Sequence, residues 1–222
     1  MNASVVVAMD GPSGSGKSST SRGVATRLGL RYLDTGAMFR AVTWWMLERG
    51  VDVGDAAAVA ARADEPKLVS GTDPSAPTIT VDGVDVAGPI RSPQVTGAVS
   101  AVSAVPEVRA RLLREQREII GEGGIVVEGR DIGTVVAPDA AVKIYLTADP
   151  AARAARRTAE LTAGTDVAAT EADLLRRDRL DSGRVAAPLA MADGAVHIDT
   201  TPFTLDEVIE QVVALVDRAH AP

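Results

Sequence analysis

Residues 11–18 read Gly11-Pro12-Ser13-Gly14-Ser15-Gly16-Lys17-Ser18, which matches the pattern G-x-x-x-x-G-K-[ST] without a gap. An apolar run, Val5–Met9, precedes this segment, and a helical pattern, Lys17–Leu28, follows it. Glycines let backbone N–H groups curl around an anion, and the start of a helix adds partial positive charge. The segment is therefore predicted to be a phosphate-binding loop, in which Lys17 reaches the β- and γ-phosphates of a nucleotide and Ser18 binds Mg²⁺.

Further apolar runs downstream of the loop indicate additional buried strands. They lie at Tyr32-Leu33, Gly124–Glu128, Ala141–Leu146 and Ala195–Asp199. Helical patterns alternate with these runs, at Ala37–Arg49, Glu107–Gly121, Pro150–Leu161, Glu171–Arg179 and Thr204–Ala219. Continuous Val- and Ile-rich runs that alternate with helices predict an α/β fold, with a parallel sheet buried on both faces.

Two segments depart from this alternation. Residues Lys67–Ile90 contain alternating apolar and polar residues on either side of Asp82-Gly83, which is a hairpin turn signal. We predict a small antiparallel insert there, on the substrate side of the fold. Residues Thr162–Thr170 are rich in Thr, Ala, Gly and Asp, and we predict a mobile loop between two helical segments.

Composition excludes several classes of protein. The net charge of −7 over 222 residues provides no global positive field for nucleic acid. The chain has no cysteine and only two histidines, which excludes disulfides and argues against a zinc site. The N-terminus has no basic region, and its apolar run is too short for a signal or a membrane span. We therefore predict a cytosolic protein with no membrane or nucleic-acid partner.

The phosphate-binding loop alone is shared by GTPases, ATPases and small-molecule kinases. A GTPase is expected to carry an N-K-x-D motif, and the sequence contains no such tetrapeptide. Motor and transporter ATPases are usually longer and carry extra signature loops. A compact kinase remains the best interpretation.

A kinase for a phosphorylated acceptor needs cations around two mutually repelling anions. Arginines occur in three places that meet this need: Asp34–Arg40, Glu128–Gly133 and Arg176–Arg184. Each place also has a simpler interpretation. Asp34–Arg40 could be a capped helix with a solvent-facing arginine, and Glu128–Gly133 could be a βα turn with a surface ion pair. Arg176–Arg184 could be a solvated helix end. Arg153, Arg156 and Arg157 precede the predicted mobile loop, which favours a lid that closes over the phosphates.

Several motifs together resemble bacterial cytidylate kinases, which are nucleoside monophosphate (NMP) kinases. They are GPSGSGKS, YLDTGAMFR, ITVDGVDV, SAVSAVPEVRARLLREQR, EGRDIGTVVAPDAAVKIYL and RDRLDSGRVAAPL, and they cover nearly the whole chain. The resemblance implies a P-loop NTPase-type parallel five-stranded sheet flanked by helices, with a small antiparallel NMP-binding insert and a helical lid. It implies one kinase domain over 1–222, with a core of 1–66 and 91–222. Residues 67–90 would belong to the insert and 153–184 to the lid.

The resemblance also implies roles for individual residues. The ATP phosphates and Mg²⁺ would be held by Gly11, Pro12, Ser13, Gly14, Ser15, Gly16, Lys17, Ser18 and Ser19. The phosphate of CMP would be held by Arg40 and Arg130, joined by Arg184 from the lid, with Thr35 nearby. Cytosine would be read by Ser100, Arg109 and Asp131, and the acceptor sugar by Arg177 and Asp181. The transferred phosphoryl group would meet Arg153 and Arg156, which with Lys17, Arg130 and Arg184 form the predicted catalytic set.

The chemistry of cytosine fits this assignment. Its exocyclic amine suits a carboxylate acceptor, and its ring N3 and O2 suit an arginine donor. Uracil presents a carbonyl in place of the amine, which would leave Asp131 unpaired. Ser100 and Arg109 also have an alternative as ordinary helix residues. Three residues depart from the family pattern: Thr35 for the usual serine, Phe39 for the usual tyrosine, and Leu180 where a basic residue is common.

The resemblance thus implies a monomeric kinase that transfers the γ-phosphoryl group of ATP to CMP and dCMP. Two alternatives stay open on the sequence. One is a kinase for another small acceptor, such as UMP. The other is a nucleotide-binding regulator that uses the loop as a switch and transfers nothing.

Overall fold

The computed structural model describes residues 4–160, 166–184 and 187–219. A five-stranded parallel sheet forms the centre, with the strand order β2-β6-β1-β7-β8. Its strands are β1 (Val6–Asp10), β2 (Arg31–Asp34), β6 (Ile125–Gly129), β7 (Val142–Thr147) and β8 (Val196–Asp199). The predicted α/β fold with a parallel five-stranded sheet is confirmed.

Helices cover both faces of the sheet. They are α1 (Lys17–Leu28), α2 (Thr35–Glu48), α3 (Ala56–Ala61), α4 (Pro93–Val102), α5 (Pro106–Ile120), α6 (Pro150–Glu160), α7 (Val167–Ser182) and α8 (Leu205–Ala219). Side chains of β1 alternate between the faces, as strand geometry requires. Val7 and Met9 join an apolar layer with α1 and α8, whereas Ala8 joins the layer that contains α2 and α5. Both layers are built mainly from aliphatic residues, and aromatic residues make up only 3% of the chain.

The predicted insert contains a small antiparallel sheet of β3 (Leu68–Ser70), β4 (Ile79–Val81) and β5 (Val84–Asp85). The hairpin prediction is confirmed, because β4 and β5 pair across Asp82 and Gly83, whose φ angles are 51° and 81°. Strand β3 was not predicted, since three residues are too few to establish a pattern. The small sheet meets the core at Trp45 of α2, whose Nε1 donates to Asp82 Oδ2 at 2.8 Å. The guanidinium carbons of Arg49 and Arg62 each lie 5.0 Å from the centre of the Trp45 ring.

The structure corrects the sequence prediction in the predicted lid and at the helices α3 and α4. Helix α7 begins at Val167, where Asp166 accepts a hydrogen bond from the backbone N–H of Ala168, so the last part of the predicted loop is helical. Residues 162–165 of that loop lie outside the described residues. Helices α3 and α4 were not predicted, and α4 begins at Pro93 after Ser92, whose side chain accepts from Val95 N. Among the described helices, none combines the length and apolarity needed to cross a membrane.

Candidate active site

The carboxyl ends of the central strands and the predicted phosphate-binding loop surround one cavity of about 550 Å³. Ligands of open α/β sheets bind at this edge. The cavity brings together most of the predicted site residues: Ser13, Gly14, Ser15, Gly16, Lys17, Ser18, Ser19, Thr35, Arg40, Ser100, Arg109, Arg130, Asp131, Arg156, Arg177, Asp181 and Arg184. Gly11, Pro12 and Arg153 do not line it. Residues that are more than 180 positions apart in the chain thus meet in one site.

The phosphate-binding loop has a backbone that only glycine allows at two of its positions. A Cβ at Gly11 would collide with the carbonyl oxygen of Leu146, and Gly16, immediately before α1, lies in the left-handed region with φ 88°. The ammonium of Lys17 donates to the carbonyl oxygen of Pro12 at 2.7 Å. Ser15 Oγ is buried and has no hydrogen-bond partner within the described residues. A buried hydroxyl without a partner in a glycine-rich loop fits a site that awaits an anion.

Glu128 forms the floor of the site beside this loop. It lies near the carboxyl end of β6, an inner strand of the sheet, is buried, and accepts a hydrogen bond from Ser18 Oγ at 3.0 Å on Oε2. The hydroxyl of Tyr32 donates to the other carboxylate oxygen. Burial and the charge of Asp34 raise the pKa of Glu128, whereas Lys17 acts to lower it. Sequence analysis did not select Glu128 as a site residue, although an apolar strand that ends in an acidic residue was the available signal.

Lys17 lies in an environment that favours the loss of its proton. Burial lowers the pKa of Lys17, and the positive charge of Arg130 lowers it further. Glu128 and Asp10 oppose this shift. The side chain of Lys17 is 9% exposed. A bound polyanion would stabilise the protonated form of Lys17, because it supplies negative charge to balance the buried cations.

Arg40 lies in the cavity wall rather than facing bulk solvent. Its Nη1 donates to the carbonyl oxygen of Ile90 and to Thr96 Oγ1, both at 3.0 Å. Burial lowers the pKa of Arg40, and the charges of Arg177 and Arg157 add to that effect. Several guanidinium groups therefore converge on one region without an equal number of carboxylates, which is the arrangement that phosphate binding stabilises.

The predicted cytosine-reading residues occupy adjacent positions. Arg109 forms a buried ion pair with Asp131 through Nη2, and its Nη1 donates to the carbonyl oxygen of Ser103 at 3.1 Å. The Arg109 guanidinium also lies 5.3 Å from the centre of the Phe39 ring. Ser100 is buried and lines the cavity next to them. Phe39, one of the departures from the family pattern, therefore supports Arg109 by stacking.

Residues of the predicted lid contact Arg130, which follows β6. Asp181 is buried between the guanidinium groups of Arg130 and Arg184 and pairs with both. Burial acts to raise the pKa of Asp181, but the charges of Arg130 and Arg184 hold it below its usual value. Arg130 Nη1 also donates to the carbonyl oxygen of Gly11 at 3.0 Å, so this arginine contacts both the lid and the phosphate-binding loop. Leu180 is exposed and does not line the cavity.

The remaining predicted residues donate hydrogen bonds to backbone carbonyl groups around the cavity. Arg153 donates to the carbonyl oxygen of Ser13 at 3.1 Å and pairs with Asp178. Arg156 donates to Oγ1 and to the carbonyl oxygen of Thr200, both at 2.8 Å. Thr35 Oγ1 donates to the carbonyl oxygen of Glu128 at 2.7 Å, so its hydroxyl is engaged with the end of β6.

Asp10 is a second acidic residue that sequence analysis did not select. It ends β1, pairs in register with Gly129, and is 2% exposed. Its two carboxylate oxygens accept the backbone N–H groups of Ile132 and Gly133, each at 2.8 Å. These residues begin a single π-helical turn, Ile132–Val136, immediately after Asp131.

A parallel α/β sheet with a phosphate-binding loop, facing a second wall of guanidinium groups, defines the chain as a compact P-loop kinase. Residues 7–218 match the family model for cytidylate kinase. The chain therefore belongs to the cytidylate kinase family, as the resemblance of its motifs predicted.

Curated relatives agree with this membership. A cytidylate kinase from Streptomyces avermitilis is 62% identical over 219 residues, covering 98% of this chain and 94% of the relative. A cytidylate kinase from Nocardia farcinica is 56% identical over 216 residues, covering 96% and 93%. One from Corynebacterium glutamicum is 48% identical over 219 residues, covering 97% and 95%. A solved structure of an uncharacterized protein from Eubacterium ventriosum shares the fold, with a TM-score of 0.54 at 11% identity, covering 97% of this chain and 99% of its own.

Proposed function

We propose that this protein transfers the γ-phosphoryl group of ATP to CMP, and to dCMP, giving ADP and the corresponding diphosphate. The observation that carries the proposal is the position of Arg130, which contacts the phosphate-binding loop at Gly11 and the lid at Asp181 within one cavity. A second set of buried guanidinium groups has a use only if a second anion binds beside the nucleotide. A regulator that transfers nothing has no such anion, and the family match disfavours it.

The transfer proceeds in line and without a covalent enzyme intermediate. The phosphate of CMP is mostly ionised near neutral pH, since its second pKa is about 6. No strong general base is needed, and catalysis comes from positioning and charge stabilisation. Lys17 neutralises the transferred group from the loop, while Arg130, Arg156 and Arg184 do so from the acceptor and lid sides. Arg153 supports the loop through Ser13.

Mg²⁺ fits the oxygen atoms beside the loop. The Ser18 hydroxyl and the Glu128 carboxylate lie 3.0 Å apart, and oxygen ligands are those that Mg²⁺ prefers. The described residues contain no group of three or more His, Cys, Asp or Glu that could hold a metal unaided. This agrees with an ion held by one or two side chains together with substrate phosphates. When bound, Mg²⁺ neutralises charge on the β- and γ-phosphates.

Replacement of Glu128 by glutamine is expected to weaken Mg²⁺ binding by about ten- to a hundredfold, because the charge is lost while the shape is kept. Two measurements check this: the Mg²⁺ concentration that supports half-maximal ADP release, and Mn²⁺ binding to the ADP complex by electron paramagnetic resonance. Glu107→Gln, an exposed change in the first turn of α5, is the matched control. Unaltered Mn²⁺ affinity in Glu128→Gln would exclude Glu128 from the metal site.

The acceptor is tested with a panel of CMP, dCMP, UMP, AMP and GMP, with ATP as donor and ADP release as readout. We expect CMP and dCMP to give the highest kcat/KM. A preference for UMP or for a purine acceptor would contradict the proposed function. ATP hydrolysis at a rate that no acceptor changes would favour the alternative of a nucleotide-binding regulator that transfers no phosphoryl group.

Removal of the Asp131 carboxylate is expected to lower the discrimination between CMP and UMP. In Asp131→Ala the cytosine amine loses its hydrogen-bond acceptor, and uracil no longer leaves a buried carboxylate without a partner. The ratio of kcat/KM for CMP to kcat/KM for UMP should therefore fall at least about tenfold. The same acceptor assay measures this ratio. Asp139→Ala, in the connection before β7, is the control, and an unchanged ratio in Asp131→Ala would refute the reading role.

The division of the chain into core, insert (67–90) and lid (153–184) is also part of the proposal. It is supported by the small antiparallel sheet inside 67–90 and by α6 and α7, which pack against each other and carry the lid arginines. We further propose that the protein acts as a monomer in the cytosol. Size-exclusion chromatography with light scattering tests the monomer.

A further inference from the structure

Asp10 is a buried carboxylate that the proposed transfer does not use. It lies at the carboxyl end of β1, one residue before the phosphate-binding loop. Both of its oxygens are occupied by backbone N–H groups, from Ile132 and Gly133 at 2.8 Å each. Burial raises the pKa of Asp10 to about 6, and the nearby charge of Asp131 adds to the rise. Burial of a charged carboxylate at this position is therefore unfavourable, and the hydrogen bonds from the two N–H groups offset its desolvation.

Asp10 caps a turn that the residue before it, Asp131, would normally cap. Asp131 precedes the π-helical turn Ile132–Val136, and an aspartate at this position usually accepts the free N–H groups of the first turn. Its side chain makes no such bond, and instead pairs with Arg109 in the cavity. Asp10, at the end of β1, instead accepts the N–H groups of the first two residues of the turn, Ile132 and Gly133. Asp131 is thereby free to face the ligand.

The neighbouring peptide group strengthens this connection. The carbonyl oxygen of Gly11 accepts from Arg130 Nη1 at 3.0 Å. Gly11 thus holds the side chain of Arg130, and Asp10 holds the backbone of Ile132 and Gly133, on either side of Asp131. The end of β1 thus positions both the phosphate-binding arginine and the base-reading carboxylate of the acceptor site.

We propose that Asp10 is a positioning residue for acceptor specificity, which caps the turn after Asp131 and so keeps the Asp131 carboxylate directed at the base of CMP. The inference rests on the proposed reading role of Asp131. Asp10 touches no substrate in this account and acts only through Asp131. A purely structural aspartate would affect stability and would lower the rates with all acceptors alike.

The test is a double-mutant cycle between Asp10→Asn and Asp131→Ala, measured as the ratio of kcat/KM for CMP to kcat/KM for UMP. The asparagine amide can accept only one of the two N–H groups and turns its own donor toward the other. In otherwise wild-type protein, Asp10→Asn should lower the ratio about tenfold, the change that one lost hydrogen bond to a charged group produces. In the Asp131→Ala background it should leave the ratio unchanged. Asp55→Asn, which alters the exposed aspartate that caps α3, is the matched control and should leave the ratio unchanged in both backgrounds.

The outcomes separate the inference from the role of Asp131. A ratio that stays at the wild-type value in Asp10→Asn, while Asp131→Ala lowers it, overturns the inference alone. A ratio that Asp10→Asn lowers equally in both backgrounds also overturns it, because the effect would not pass through Asp131. If Asp131→Ala itself has no effect on the ratio, the reading role and the inference fall together. Thermal melting accompanies each variant, and Asp10→Ser, whose smaller side chain leaves room for a water, provides the same comparison if Asp10→Asn does not fold.

Discussion

Lys17→Ala is expected to lower kcat/KM for the transfer from ATP to CMP by about a thousandfold, the scale seen when a preorganised charge is removed from a developing anion. Lys17 is the cation of the loop itself, and its ammonium is held at Pro12 within the cradle. The other two lysines, Lys67 and Lys143, do not line the cavity. The measurement is ADP release at saturating CMP over a range of ATP concentrations.

The fold of Lys17→Ala should remain intact, because the variant removes a buried charge from a site that already contains several cations. Its melting temperature without ligand should therefore stay close to that of the wild-type protein. Lys67→Ala, an exposed change at the start of the insert, is the control and should retain full activity. Turnover within about threefold of wild type in Lys17→Ala would remove the phosphate-binding loop from the mechanism.

Arg40→Ala is expected to raise KM for CMP by about a hundredfold and to change KM for ATP far less. A rise in KM of this size is expected when a charge-assisted hydrogen bond to phosphate is lost from a partly buried site. Arg40, Arg157 and Arg177 line the same cavity, and burial and the charges of the other two arginines lower the pKa of Arg40. Initial rates with each substrate varied in turn separate the two KM values.

The control for Arg40→Ala is Arg27→Ala, an exposed change in the last turn of α1 that does not line the cavity. Because Arg40 shares its surroundings with other cations, its removal also relieves repulsion when no ligand is bound. A similar rise in KM for both substrates would indicate that Arg40 acts on the whole cavity. That result would contradict its assignment to the acceptor phosphate.

Local patterns predicted the features that depend on neighbouring residues. The loop at Gly11–Ser18, the strand before it, the helix after it and the hairpin at Asp82-Gly83 each have a short-range signature, and the structure contains all four. Two groups of arginines could be recognised as candidates because they follow predicted strands, and the third because a predicted mobile loop precedes it. Their convergence on one cavity followed only from the parallel sheet and from the resemblance to a family.

What sequence analysis missed depends on pairing between distant residues. Glu128 belongs to the site because Tyr32 and Ser18 donate to its carboxylate from 96 and 110 residues away. Asp10 caps a turn that begins 122 residues later. No periodicity encodes such contacts, and an aspartate before a glycine-rich loop has the same local appearance whether or not it caps another segment. The start of α7 was missed for a different reason, since its first turn is rich in Ala and Thr and resembles a loop.

The contact at Trp45 gives the protein a built-in optical probe. The indole is 3% exposed, is flanked by the guanidinium groups of Arg49 and Arg62, and is tied to Asp82 at the tip of the insert hairpin. Emission from an indole responds to nearby charge and to the loss of a hydrogen bond. Since Trp44 and Trp45 are the two tryptophans in the chain, fluorescence of the unlabelled protein monitors the junction between core and insert during ligand titration.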